Sequence, residues 1–193
     1  MTEALETFPV KENILTVQMI LEDRQGSLGL ELLNAGTSLD HQVADSDISS
    51  PGIALSGFTK RFVDSRIQVF GETEIAYLQS LADDEMLERL EKLLQHKIPA
   101  VFVTKGLKVS DVFLRLATNS GIPVISSNLS TKIFYRRFKP YLDAALAPKI
   151  STHGSLADVY GVGLLFVGQS GVGKSECVLD LVERGHRFVA DDL

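Results

Sequence analysis

The sequence has one cysteine, Cys177, in 193 residues. No disulfide can close within the chain, and a reducing cytoplasm is the expected setting. Nowhere does an apolar run approach the roughly eighteen residues that a membrane span needs, so no membrane partner is expected. Met1–Lys11 carries no basic residue ahead of Lys11, and does not read as a secretory or mitochondrial leader. Charge is not concentrated in blocks of one sign and sums to −6, which argues against nucleic acid as a partner. The four histidines and the cysteine form no cluster, so a zinc site is not expected. Repeats and low-complexity stretches are also absent. What is present is ordinary, 45% apolar and 23% charged, as in a globular α/β chain of one or two domains.

Glycine and proline fall between periodic segments and punctuate them. Ile14–Leu21 is followed by a breaker, Gln25-Gly26-Ser27, and Leu30–Leu33 reads as a short buried strand. Ser46–Gly52 reads as a turn leading into the apolar Ile53–Phe58, and Arg66–Phe70 alternates polar and apolar residues as a strand does. Asp83–Gln95 is predicted helical, since Met86, Leu90, Leu93 and Leu94 share a face behind an acidic first turn. Ala100–Thr104, a helix over Ser110–Asn119 stopped by Gly121, and Ile122–Ile125 form a parallel strand–helix–strand unit. A helix from Thr131 to Leu146 gathers Phe134, Phe138, Tyr141 and Leu142 on one face, and Pro140 predicts a kink or break in it. Ala147-Pro148-Lys149 is the candidate boundary between domains.

Beyond that boundary, Gly168-Gln169-Ser170-Gly171-Val172-Gly173-Lys174-Ser175 meets every fixed position of G-x-x-x-x-G-K-[ST]. An apolar strand, Gly163–Val167, precedes it, and a helix, Glu176–Arg184, follows it and is closed by Gly185; this is the setting that a phosphate-binding loop requires. Glycines let the backbone wrap closely enough for its amides and the helix start to face phosphate oxygens. Lys174 brings a mobile positive charge to the β- and γ-phosphates, and Ser175 offers a hydroxyl to Mg²⁺. A nucleoside triphosphate, with ATP as the working ligand, is the expected occupant.

His186–Ala190 reads as a further strand with Asp191 and Asp192 at its end. If it runs parallel to the loop strand, both carboxylates emerge on the phosphate side, where open α/β sheets bind ligands. One could hold a metal through water and the other accept a proton from an attacking hydroxyl; an acidic turn is the competing reading. His153, in Ser151-Thr152-His153-Gly154, reads on its own as a surface or core histidine, and His41, His96 and His186 have no partner at a telling spacing. Cys177 lies near the positive end of the loop helix, and a buried structural role is expected for it. Lys132, Arg136, Arg137 and Lys139 form a basic patch, read as a solvated face rather than an interface.

Taken together, Thr152-His153-Gly154, Asp158-Val159-Tyr160-Gly161-Val162-Gly163, Gly173-Lys174-Ser175-Glu176, Arg184-Gly185-His186 and Ala190-Asp191-Asp192 resemble bacterial HPr kinase/phosphorylase. The first half agrees through Ser46-Asp47-Ile48, Pro51-Gly52, Arg66-Ile67-Gln68-Val69, Glu74, Tyr77-Leu78 and Ile98-Pro99, so the resemblance spans nearly the whole chain. It implies an N-terminal α/β regulatory domain over 1–130, a linker helix over 131–148 and the beginning of a P-loop kinase domain over 149–193. It also implies an ATP-dependent, Mg²⁺-requiring serine kinase. The substrate would be HPr, the small phosphocarrier of the sugar phosphotransferase system, and phosphorolysis would reverse the reaction. By motif match Asp192 is the proton acceptor, His153 and Lys174 join it in the active site, Ser175 binds Mg²⁺, and Asp191 is the less defined member of the acidic pair.

A hexamer is implied as well. Family members continue well past the position of Leu193, so the chain is expected to be truncated inside the catalytic domain. As a consequence it is expected to transfer phosphate poorly and to expose apolar surface around the loop. Two other readings stand beside this one: a different P-loop kinase or NTPase, and a non-catalytic binding module with a vestigial loop.

Overall fold

The computed structural model describes residues 7–9 and 14–191. The chain divides into two compact units, one spanning Asn13–Ala147 and the other taking in the chain from Pro148 onward together with the first strand, β1 (Thr7–Pro9).

In the first unit, β2 (Leu15–Thr16) leads directly into α1 (Val17–Leu28). The Thr16 side chain caps this helix by accepting from the Met19 amide at 3.3 Å. Gln25-Gly26-Ser27 does not break α1; the helix runs through it and stops at Gly29, where φ is +58°. Gly26 is exposed and tolerated in a helix at modest cost. Gly29 is the position where a left-handed cap is needed, and a Cβ there would also lie 2.2 Å from Asn128 Oδ1.

After α1 come β3 (Leu30–Leu32), β4 (Gln42–Val43), β5 (Ile48–Ser49) and a single helical turn, α2 (Gly52–Leu55). The predicted turn over Ser46–Gly52 therefore contains a strand, because Ile48 and Ser49 pair in parallel with Ile67 and Gln68. The chain continues through β6 (Ile67–Phe70), α3 (Glu72–Ser80), α4 (Asp83–Leu94), β7 (Val101–Val103), α5 (Asp111–Asn119), β8 (Val124–Ser127) and α6 (Thr131–Leu146). The β7–α5–β8 unit is parallel, as the sequence predicts.

Five strands form one sheet in the order β3-β8-β7-β6-β5, in which only the edge strand β3 is antiparallel to its neighbour. Helices cover both faces. Ile67, Val69, Phe102 and Ile125 pack with α1 and α6, through Val17, Ile20, Phe134, Phe138 and Leu142. Phe70, Val101, Val103 and Val124 pack with α3, α4 and α5, through Leu78, Leu90, Leu93, Leu94, Phe113 and Ala117. Since β5 to β8 are laid down in sequence order, crossovers of one hand put α2 through α5 on one side and leave the other to α1 and α6.

Both faces being covered explains why the alternation in Arg66–Phe70 misleads. All four residues of β6 are buried, Gln68 included. Its amide nitrogen donates to the Arg66 and Val63 carbonyls at 3.0 and 3.4 Å. Nor does Pro140 break α6. One helix runs from Thr131 to Leu146, and the loss of one backbone hydrogen bond is outweighed by the three fully buried side chains it carries into the core. Of the basic patch, Arg137 donates to the Ser27 carbonyl at 3.0 Å and Lys139 reaches Asp47 at 3.3 Å and Asp143.

A charge network ties the segment before β5 to β6 and α6. Arg66 donates to Asp45 at 2.8 Å and to Asp47 at 3.0 Å. Burial alone would push the Asp45 carboxyl up. The Arg66 hydrogen bond, the Asp47 amide and the charges of Arg66 and Lys139 outweigh it and hold Asp45 below the usual carboxylate range. Lys139, then Ser46, draws Asp143 down as well. A carboxyl depressed in the folded state contributes stability that is present above its unfolded pKa and lost as pH falls through the folded value. The melting midpoint is therefore expected to fall as pH drops below about 5, and less steeply in Asp45→Asn; equal slopes in the two proteins would refute the role given to Asp45.

Candidate functional site

In the second unit, β9 (Ile150–Thr152) pairs antiparallel with β1, and β10 (Ser155–Val159) turns back into β11 (Val162–Phe166). The turn holds Tyr160 and Gly161 at φ +53° and +84°, the conformation of a tight hairpin. Asp158 fixes it by accepting from the Gly161 amide at 2.7 Å and from Arg187 at 3.0 Å. The phosphate-binding loop leaves β11 and enters α7 (Lys174–Glu183), after which β12 (Arg187–Ala190) completes a sheet of order β11-β10-β12.

This order gathers the candidate residues. β10 is central and antiparallel to both neighbours, so β11 and β12 run in the same direction and both C-terminal ends lie at the start of β10. The loop leaves one of these ends and Asp191 the other. Ser155 pairs with Phe166 across β10 and β11. His153 precedes the start of β10 by two residues, and Gly168, where the loop begins, follows the end of β11 by two. Gly154 lies against the same edge; a Cβ there would sit 2.6 Å from the Phe166 carbonyl oxygen, so only glycine allows the two backbones to approach.

The loop is open to solvent from Gly168 to Val172. Gly171 and Gly173 are left-handed, with φ +79° and +94°. No side chain caps the first turn of α7, so its amides face outward at the positive end of the helix, as an anion site requires. The Lys174 ammonium arches back over the loop and donates to the Gly168 and Gln169 carbonyls at 3.1 and 3.3 Å. Ser175, one residue into the helix, donates its hydroxyl to Asp191 Oδ1 at 3.1 Å. A hydroxyl and a carboxylate oxygen side by side at a helix start are hard donors of the kind Mg²⁺ takes, with phosphate and water completing its shell. Among the described residues no cluster of three His, Cys, Asp or Glu side chains forms a separate metal cage.

Asp192 lies outside the described residues. His153 is exposed, at the edge of β10 nearest the loop. Cys177 is exposed rather than buried. Val178 is the residue α7 sinks into the unit, and its neighbour, about 100° around the helix, turns outward. Ser155 was not singled out from the sequence. It is fully buried and its hydroxyl donates to Asp191 Oδ1; no spacing marks a lone serine in a strand.

The expected apolar exposure around the loop is present: Val162, Leu165, Val172, Leu179 and Phe188 are all exposed. No helix among the described residues is long and apolar enough to cross a membrane.

Comparison with known proteins agrees over both units. The family described as HPr Serine kinase N terminus matches residues 15–142, and that described as HPr Serine kinase C-terminal domain matches residues 144–193. The HPr kinase/phosphorylase of Geobacter sulfurreducens is 41% identical over 179 residues, 93% of this chain and 56% of that protein. That of Listeria monocytogenes is 40% identical over 178 residues, 92% of this chain and 57% of that protein. This chain thus spans about half the length of these curated relatives. Among solved structures, the CBS and DRTGG domains of the regulatory region of Clostridium perfringens pyrophosphatase share 14% identity with it at a TM-score of 0.42, covering 67% of this chain and 50% of that one. From the first strand of the parallel sheet to the loop and its acidic neighbour, the chain belongs to the HPr serine kinase family.

Proposed function

We propose that this chain carries the regulatory domain and the nucleotide-binding start of an ATP-dependent HPr serine kinase/phosphorylase. One observation supports this above all: a phosphate-binding loop whose Ser175 hydroxyl meets the Asp191 carboxylate at 3.1 Å, both at the C-terminal ends of strands running the same way. P-loop enzymes hold nucleotide and metal with this pairing of loop hydroxyl and strand-end carboxylate.

The forward reaction needs the HPr serine oxygen to attack the γ-phosphorus while the bond from that phosphorus to the bridging oxygen breaks and ADP leaves. The serine proton passes to a carboxylate, assigned to Asp192 by its motif. In reverse, an oxygen of inorganic phosphate attacks the phosphoserine phosphorus, pyrophosphate forms, and the protonated carboxylate returns its proton to the serine oxygen. Lys174 stabilises charge on the transferred group, the loop amides and α7 orient the phosphates, and His153 stands at the rim of the site. Ser175 and Asp191 are the residues that would hold Mg²⁺, which would supply neutralisation of phosphate charge.

Incubating the chain with HPr and ATP labelled at the γ-phosphate tests the reading. Label is expected on HPr serine, and adding phosphate to the product is expected to release pyrophosphate. ATP hydrolysis with no transfer to HPr would favour another P-loop NTPase. No nucleotide binding at all would favour a binding module.

A further inference from the structure

Among the described residues of the second unit, Ser155 is a fully buried hydroxyl that touches the phosphate site. It opens β10, the strand between the loop strand and the acidic strand. Leu156 pairs with Ala190, so the next register position sets Ser155 beside Asp191. The Ser155 hydroxyl donates to Asp191 Oδ1, the same oxygen that receives the Ser175 hydroxyl. Asp191 itself stands one residue past the end of β12 and is only half-buried. Strand pairing fixes its backbone up to Ala190, but the carboxylate has rotamers to choose from, and a buried donor aimed at one oxygen removes that choice.

We infer that Ser155 is a positioning residue of the phosphate site, whose buried hydroxyl sets the Asp191 carboxylate against Ser175 and so makes the pair ready for a divalent cation. The inference rests on the nucleotide reading given above and deepens it. Ser155 touches neither nucleotide nor metal in this account; it acts through Asp191. Such outer partners orient the direct ligands, and their loss commonly costs about 10- to 100-fold in metal affinity. Ser155 opens the central strand of the sheet, whereas Ser175 belongs to the helix that follows the loop. The carboxylate is thus held from the sheet on one side and meets the loop hydroxyl on the other.

The test measures binding of a fluorescent ATP analogue to the full chain, first without metal and then across a Mg²⁺ titration. In Ser155→Ala the metal-free affinity is expected to stay within about twofold, while the Mg²⁺ concentration for half-maximal tightening rises about tenfold or more. Ser155→Cys keeps the size and a weak donor, so it should fall between the two, and it carries the test if the alanine variant does not fold. In an Asp191→Asn background, Ser155→Ala should shift the Mg²⁺ midpoint by no more than about twofold, because the group it acts through is already impaired. An unchanged Mg²⁺ midpoint in Ser155→Ala overturns the role, and so does a full additional shift in the Asp191→Asn background. Loss of metal-free binding in a folded Ser155→Ala chain overturns it too, since Ser155 would then act on the loop itself. If the unaltered chain binds no nucleotide, the nucleotide reading fails first and this one falls with it, an outcome distinct from the other three.

Discussion

Replacing Lys174 by alanine is expected to lower affinity for a nucleoside triphosphate by about 10- to 150-fold, with the fold intact. The ammonium lies across the loop, held by the Gly168 and Gln169 carbonyls at 3.1 and 3.3 Å. Both carbonyls belong to the loop itself, so the lysine is aimed where the phosphate group would be. Charge-assisted hydrogen bonds contribute about 1.5–3 kcal/mol each, and about 1.4 kcal/mol is a tenfold change in affinity. The loss should be largest for triphosphate, smaller for diphosphate and negligible for the nucleoside, since the charge acts on the distal phosphates. Lys174→Arg should recover only part of it, because a planar fork does not replace a compact ammonium inside a tight loop. Fluorescence titration of the triphosphate, the diphosphate and the nucleoside checks the series. Equal loss for nucleoside and triphosphate would mean that the substitution deforms the loop and that the charge has no specific target.

The second large effect lies in the first unit and concerns stability. Phe138→Ala should destabilise that unit by about 3–5 kcal/mol. Phe138 is fully buried in α6, with ring centroids 5.0 Å from Phe134 and 5.1 Å from Phe102. Phe102 sits on β7, in the middle of the five-stranded sheet, so the trio joins α6 to the centre of the sheet. Removing one ring leaves a cavity that two aromatic neighbours and a strand backbone cannot collapse into. For a unit of this size the melting midpoint should drop by more than about 10 °C, read by circular dichroism on the full chain. A drop of under about 2 °C would mean that α6 is a dispensable connector rather than part of the core.

Helix limits of Thr131 and Leu146 follow from the spacing of Phe134, Phe138 and Leu142, but periodicity says only that a helix has an apolar face, not what covers it. The sheet covers it. Pro140 predicts a kink or break on local grounds; the helix is unbroken, its aromatic face being buried on both sides of the proline. The same competition appears at α1, where Gly26 does not end the helix because the chain beyond it still has Leu28 to bury, and Gly29 does. In β6 the alternation of Gln68 with its neighbours imitates a half-exposed strand; an interior strand covered on both sides buries every position.

The phosphate-binding loop, its flanking strand and helix, the parallel βαβ unit and the amphipathic α4 were all determined by the sequence, because each rests on local rules: glycine where the backbone must turn left-handed, and apolar residues at the period of one element. Family membership was legible for the same reason, since motif spacing is a local property. Three things were decided only by the tertiary structure. The order β11-β10-β12 brings His153, the loop and Asp191 to one edge. Cys177 turns outward although it lies near the loop. Ser155 becomes part of the site only because a central antiparallel strand carries it between the loop strand and the acidic strand. The strand order and the place of Ser155 depend on contacts between residues up to 36 positions apart, and no spacing along the chain encodes which strand will come to lie between two others.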